Sequence, residues 1–173
     1  MIKPFSKVVL EASFTRVHQH TRNRNIGMIL ASRDDLTSEE NRQRHTALKS
    51  DVRKAGYGFI DVKGSNVDEK SLLVVGKIGD DKGHLLGHLK HLATKYNQDS
   101  ILHKPHNSEK ILLHGTNETG YPGKDKHIEV GSWHANRAAE FHSLMKNRKP
   151  IAVGEQFHFL NGKSFFSRME RLY

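Results

Sequence analysis

The sequence predicts an α/β or α+β fold, in which a single mixed β-sheet is covered by about three helices. Apolar runs of strand length alternate with segments whose apolar residues recur at helical spacing. Residues 26–64 are the most informative, because they contain a strand, a capped helix and a second strand in succession. Short stretches rich in turn-forming residues separate the later elements.

The first helix is the best defined element. Thr37 can cap its start, and Glu40 can bond back to the capping residue. Its apolar stripe consists of Leu48, Val52 and Ala55. Gly56 ends the helix, and the second strand follows directly.

A second amphipathic helix is predicted over residues 84–96, with apolar positions at Leu85, Leu89, Leu92, Ala93 and Tyr96. A third helix is predicted over residues 136–145. The remaining strands are predicted at residues 57–62, 71–78, 100–103, 110–114, 127–130 and, as one or two closing strands, 151–160. Residues 115–123, GTNETGYPG, have the composition of a surface loop.

Length and composition indicate one domain over residues 26–173, preceded at residues 1–25 by a basic N-terminal arm or a first strand. The chain has 28 Lys and Arg against 19 Asp and Glu, a net charge of +9, which favours polyanionic partners. It has no cysteine, which excludes disulfides, thiolate nucleophiles and cysteine-based metal centres. No stretch reaches the ~20 apolar residues of a membrane span, so we expect a soluble protein made without a signal peptide.

Basic residues occupy alternate positions near the N-terminus: Arg16, His18, His20, Arg22 and Arg24. In an extended chain they would all project from one face, as a comb that can follow a phosphate backbone. The alternative is a solvated polar strand or a flexible arm. Arg42, Arg53 and Arg137 complete the predicted set of contacts to nucleic acid or a partner. Arg137 follows Trp133 at a candidate anion-binding helix start, but the favoured interpretation is an ordinary helix cap with Trp133 in the core.

The second helix carries His84, His88 and His91 in one stripe. Two such histidines can bind zinc, but the sequence supplies neither a third ligand nor the adjacent glutamate of the His-Glu-x-x-His motif. A solvated or phosphate-facing stripe is therefore favoured, and no metal site is predicted.

The run ILLHGT at residues 111–116 is an apolar strand that ends in His-Gly-Thr. It resembles a motif of the ADP-ribosyltransferases of the diphtheria-toxin type and of the RNA 2′-phosphotransferases. The resemblance implies that His114 contacts a ribose of NAD, that Gly115 offers its backbone to the nicotinamide amide, and that Glu129 or Glu155 polarises a ribose hydroxyl. The alternative is a strand that ends in a polar turn.

Residues 24–64 and 95–104, with GTNETGYPG and residues 136–142, resemble a family of small uncharacterised proteins of tailed bacteriophages. The resemblance covers most of the chain and implies a phage origin without an activity. It leaves three roles open: a host-takeover or anti-defence factor, a nucleic-acid accessory protein, or a minor virion component.

Together these observations predict a basic phage protein without a cofactor, which binds nucleic acid or an acidic host protein in the host cytoplasm and possibly in the virion. One alternative is an enzyme acting on a nucleotide or NAD, with His114 at its centre and the GTNETGYPG loop as a flap. The other is a structural virion protein. For the enzyme, His114 and Glu155 are the candidate catalytic residues.

Overall fold

The computed structural model describes residues 21–63, 70–133, 142–145 and 150–152. In chain order the elements are β1 (Arg24–Leu30), α1 (Ser38–Lys54), β2 (Gly58–Lys63), β3 (Lys70–Ile78), α2 (His84–Lys95), β4 (Ser100–Lys104), β5 (Lys110–Gly115), β6 (His127–Ser132), β7 (His142–Met145) and β8 (Pro150–Ala152). They form one sheet of eight strands in the order β6-β5-β4-β1-β3-β2-β7-β8.

Each strand pairing in this sheet is antiparallel. The prediction of one sheet with helices is confirmed at the level of an α+β fold, but the prediction of a mixed sheet is wrong. The β1–α1–β2 unit is split, because β3 lies between the two strands that α1 connects. The central order β4-β1-β3-β2, with α1 and α2 as crossovers, is the β-α-β-β-α-β arrangement of ferredoxin-like folds.

The predicted start of α1 is confirmed in detail. The Glu40 amide donates to the Thr37 hydroxyl, and the Thr37 amide donates to the Glu40 carboxylate at 2.8 Å. Leu48 and Val52 are buried as expected, whereas Ala55 is an exposed C-cap. His45 is instead the third buried residue of the helix.

Helix α2 lies on the same face of the sheet, where its predicted apolar stripe is buried together with Leu48 and Val52 of α1. The helix packs very close to β1 at Gly27, where an added Cβ would lie 2.1 Å from Leu89 Cδ1. Asp81 caps the helix by accepting hydrogen bonds from the amides of Gly83 and Leu85.

A second core lies on the opposite face of the sheet. It includes Met28, Leu73, Leu102 and Leu113, and it also buries Trp133. The prediction that Trp133 is a core residue is therefore confirmed. Its indole Nε1 donates to the Thr21 hydroxyl at 2.8 Å.

The third predicted helix is wrong over residues 142–145, which form strand β7 between β2 and β8. The described part of the chain contains two complete helices rather than about three. One closing strand is present at residues 150–152, while residues 134–141 and 153–173 lie outside the described residues. Among the described residues, no helix is long and apolar enough to cross a bilayer.

Candidate functional site

A groove of about 420 Å³ lies where the start of β2 meets the end of β3. This volume lies within the range of small-molecule sites. The lining residues come from three strands and the turn after α1: Arg24, Gly56, Tyr57, Gly58, Phe59, Ile60, Val75, Gly76 and Lys77. In the described ranges β7 pairs with β2 only at Val62 and Lys63, so the earlier part of the β2 edge is left open beside the groove.

Tyr57 is positioned in this groove by the end of α1. Gly56 has a φ of +82°, a conformation that glycine adopts without steric cost, and it turns the chain away from the helix. The Gly56 amide then donates to the Arg53 carbonyl at 2.9 Å, and the Tyr57 amide donates to the Val52 carbonyl at 3.2 Å. These two hydrogen bonds form a Schellman motif, which fixes the direction in which the backbone leaves the helix and therefore the position of Tyr57.

The ring of Tyr57 packs against α2, where its centroid lies 5.6 Å from that of His88. Burial raises the pKa of the Tyr57 hydroxyl, and the carboxylate of Asp81 raises it further. Burial also lowers the pKa of His88, so both rings favour their neutral forms. Both rings are therefore uncharged at neutral pH; Tyr57 is a lining residue of the groove, and its ring packs against the helix-facing core.

Two cations lie at the end of the groove, where the antiparallel pairing of β1 with β3 brings Arg24 opposite Ile78. Arg24 donates to the Gly76 carbonyl at 3.0 Å, and Lys77 is exposed. Within the described residues no carboxylate pairs with either side chain. The lining of the groove thus combines two cations with two aromatic residues, Tyr57 and Phe59.

The other predicted basic residues do not gather at this groove. The guanidinium of Arg42 is bound by Glu39 in two hydrogen bonds of 2.8 and 2.9 Å, and that of Arg53 lies 4.9 Å from the Phe59 ring centroid. The prediction of an extended comb is wrong at residues 21–23, because Thr21 is helical and Arg22 lies in a turn before β1. Outside the described residues lie Arg16, His18, His20, Arg137 and Glu155.

His114 lies at the end of β5, which two strands, β4 and β1, separate from the groove strand β3. It is 6% exposed, and burial with neighbouring His103, Lys90 and His127 lowers its pKa to about 4. The backbone of Gly115 is already engaged: its amide donates to the Lys126 carbonyl, and its carbonyl accepts from Asp125. It therefore cannot serve a nicotinamide amide as the ADP-ribosyltransferase resemblance implies.

The GTNETGYPG loop is at the surface, as predicted, but it is tied to the sheet. The Thr116 amide and hydroxyl donate to the carbonyls of Asp99 and Gln98, and the Asn117 side chain donates to the Asp99 carboxylate. Gly120 packs directly on the Asp99 side chain. These contacts do not fit the flap that the nucleotide-enzyme hypothesis needs.

Sequence reasoning missed a polar cluster between α1 and β2. His45 Nε2 lies 2.9 Å from the Asp61 carboxylate, and Lys49 Nζ lies 2.7 Å from it. Burial works to raise the pKa of Asp61, but the hydrogen bonds from Lys49 and His45 outweigh it and lower that pKa. The spacing of His45 and Lys49 on one helix face was the available signal, but their acidic partner comes from another element.

No group of three His, Asp or Glu side chains in the described residues is placed to hold a metal ion. The histidine stripe of α2 is split between environments: His84 and His91 are exposed, whereas His88 packs on Tyr57. The ring nitrogen Nε2 of His88 is buried and has no hydrogen-bond partner among the described residues.

Comparison with known protein families settles the lineage. The model of the S-adenosylmethionine lyase family matches residues 27–150, from β1 to the start of β8. The chain belongs to the S-adenosylmethionine lyase family. No curated protein matches the sequence. The family match spans both helices and every residue of the groove except Arg24.

Membership in this family corrects three expectations. The resemblance to an uncharacterised phage family is wrong, and so is that to the ADP-ribosyltransferases; a phage origin is not shown. The main expectation of a non-enzymatic protein that binds nucleic acid or an acidic host protein in an anti-defence role is wrong, because the family is enzymatic. The enzyme alternative was closer, although not for NAD. The expected locations, host cytoplasm or virion, stay predictions.

Proposed function

We propose that this protein is an S-adenosylmethionine lyase, which breaks a carbon–sulfur bond of the sulfonium centre without adding water. The observation that carries the proposal is the family match over residues 27–150. In such a reaction the electron pair of the broken bond stays on sulfur, so a neutral thioether leaves, and a lone pair of the substrate's own carboxylate forms the new carbon–oxygen bond at that carbon, which closes a lactone. Because a thioether needs no proton to depart, the enzyme's main task is to hold the substrate in the reactive geometry.

The groove between β2 and β3 supports the proposal, because its chemistry suits the two ends of this substrate. The amino-acid end carries a carboxylate, which Arg24 and Lys77 can bind by charge. The sulfonium is a cation without hydrogen-bond donors, and an aromatic face such as that of Tyr57 attracts it. A neutral His88, packed against the Tyr57 ring, also avoids placing a further cation near the sulfonium.

The test is turnover of S-adenosylmethionine by the purified chain, followed by mass spectrometry. We expect the nucleoside thioether and a four-carbon fragment in equal amounts, with the fragment one water lighter than the product of hydrolysis. Heat-denatured protein corrects for spontaneous breakdown. S-Adenosylhomocysteine, which has no sulfonium, should not be cleaved. Loss of substrate no faster than with denatured protein would refute the lyase proposal.

Substitution of Tyr57 tests whether the groove is the site. Tyr57→Leu removes the aromatic face, which contributes up to about 2 kcal/mol to cation binding, so we expect kcat/KM to fall roughly ten- to thirtyfold. Tyr57→Phe keeps the ring and should remain within about threefold of the wild type. Steady-state kinetics on variants with unchanged circular dichroism measures both. If Tyr57→Leu turns over like the wild type, the substrate binds elsewhere.

A further inference from the structure

Three imidazoles form a row across neighbouring strands on the helix-facing side of the sheet. His103 of β4, His114 of β5 and His127 of β6 make up this histidine row. The ring centroids of His103 and His114 are 5.7 Å apart in an edge-to-face arrangement, and those of His114 and His127 are 5.3 Å apart and stacked. The row plays no part in the groove or in the proposed cleavage.

Two members of the row are buried, and each has one ring nitrogen that lacks a hydrogen-bond partner among the described residues. His103 is 7% exposed and His114 is 6% exposed. Nδ1 of His103 and Nε2 of His114 find no partner in the described residues. Burial lowers the pKa of His103 to about 4, as it does for His114, so both rings are neutral at neutral pH.

The nearby carboxylate of Asp81 favours a proton on His103, but burial outweighs it, and cations also lie close to the row. Lys90 of α2 faces His114, and Lys104 lies next to His103 on its own strand. The carboxylate of Asp81, in the turn before α2, is already bound by two backbone amides. The carboxylate of Asp125, in the β5–β6 loop, lies 3.7 Å from Lys90 and is largely exposed.

The row also lies at one edge of the described sheet. His114 and His127 are directly paired across β5 and β6, where two like charges destabilise a ladder. In the order of the described sheet β6 is the terminal strand and pairs only with β5. The loop over residues 116–126 joins these two strands and is fastened at Gly115 by hydrogen bonds to Asp125 and Lys126.

We propose that the histidine row is an acid-operated release: β6 and the loop over residues 116–126 stay closed while His103 and His114 are neutral, and they open when these two imidazoles are protonated. The signal to which the histidine row responds is the binding of protons. The opened edge presents unpaired backbone of β5, while the groove on the far side of β3 stays formed.

The direction of the pH effect follows from proton linkage. The folded pKa of each buried histidine, about 4, lies below the ordinary value of 6.5, so the open state binds more protons than the closed state between these values. Closure is therefore fully favoured above pH 6.5 and is lost as the pH falls towards 4. Each of the two histidines can raise the opening equilibrium by up to about tenfold per pH unit in this window.

Hydrogen exchange followed by mass spectrometry tests the proposal on the full chain at about pH 7.5 and about pH 5. Rates are divided by the intrinsic exchange rates at each pH. We expect peptides from residues 110–132 to open more at the lower pH, while peptides from α1 do not. His114→Phe, which cannot be protonated, should remove at least tenfold of the acid-induced opening, whereas exposed His84→Asn should leave it unchanged.

Two results would overturn the release. One is acid-induced opening in His114→Phe equal to that of the wild type, and the other is equal opening of α1, which would mean global unfolding. Proton NMR of the wild-type chain covers the case in which the variant does not fold. The ring signals of His103 and His114 should titrate together with amide signals of residues 116–126, and titration with those amide signals unmoved would contradict the proposal.

Discussion

Gly115→Ala should destabilise the protein by about 3 kcal/mol, because the added methyl group would overlap backbone atoms of the β5–β6 loop. An ideal Cβ on Gly115 would lie 1.9 Å from the carbonyl oxygen of Gly123 and 2.5 Å from its carbonyl carbon. Both are backbone atoms, so no side-chain rotation can relieve the overlap. The loop would have to move, and its hydrogen bonds from Asp125 and to Lys126 at Gly115 would be strained or lost.

Urea denaturation measures this effect, with the variant's midpoint falling at an unchanged slope. Gly87→Ala is the matched control, because Gly87 lies in α2 and an added Cβ there meets no atom within 4 Å. We expect Gly87→Ala to stabilise the protein by up to about 1 kcal/mol through helix propensity. A Gly115→Ala protein within 1 kcal/mol of the wild type would show that the loop shifts at little cost.

The sequence predicted those parts of the fold that depend on residues close together in the chain. The capping pair of Thr37 and Glu40 and the glycine stop at Gly56 each act over one helical turn, and all three are present. The stripe of α2 is likewise a local repeat. Strand order is different, because it depends on which distant segments pair: β3 inserts between β1 and β2, and no short pattern encodes that insertion.

The prediction of a third helix was wrong for a related reason. Leu144 and Met145 follow Phe141 by three and four residues, a helical spacing, but they pair with Lys63 and Val62 in the sheet. Pairing with the edge of another strand overrides the weak local preference of so short a segment. Ala55 shows the same limit on a smaller scale, because the residue that completes the buried face of α1 is the polar His45.

The candidate site was harder to predict than the fold. Arg24 was selected for an alternating basic pattern, yet the structure places it in a groove with Lys77, a residue brought near by the pairing of β1 with β3. The positive charge of the chain was a misleading guide, since Arg42 is neutralised by Glu39. The proposed lyase reaction would mainly require orientation of the substrate, so it calls for no sequence motif of acids, bases or nucleophiles.

Lys104→Met is the second substitution for which we expect a large loss of stability, again about 3 kcal/mol. Lys104 is 1% exposed, and its ammonium donates to backbone carbonyls at 3.0 to 3.4 Å. The accepting carbonyls belong to Thr21, Arg22, Arg24 and Pro105. The lysine thereby fastens the segment before β1 to the end of β4.

Two opposing effects decide the magnitude for Lys104→Met. Removing a buried charge relieves its desolvation, which favours the variant. Methionine, however, removes the donor of the Thr21, Arg22 and Arg24 carbonyls, at about 1–3 kcal/mol for each group that water cannot reach, whereas the Pro105 carbonyl still accepts from the Ser108 amide. Because several acceptors are lost against one desolvated cation, the loss of hydrogen bonds dominates. Lys124→Met, an exposed lysine near Glu118 at 3.6 Å, should change stability by less than about 1 kcal/mol.

The pH dependence separates a structural ammonium from mere packing volume. Burial lowers the pKa of Lys104 below its ordinary 10.5, so above the folded pKa the unfolded chain binds more protons than the folded one. The lysine therefore makes the wild type more stable as the pH rises through the folded pKa towards 10.5, and this rise should be smaller in Lys104→Met. Urea midpoints at neutral and alkaline pH measure both proteins. Equal alkaline slopes would show that Lys104 titrates alike in the folded and unfolded chains, contrary to its burial.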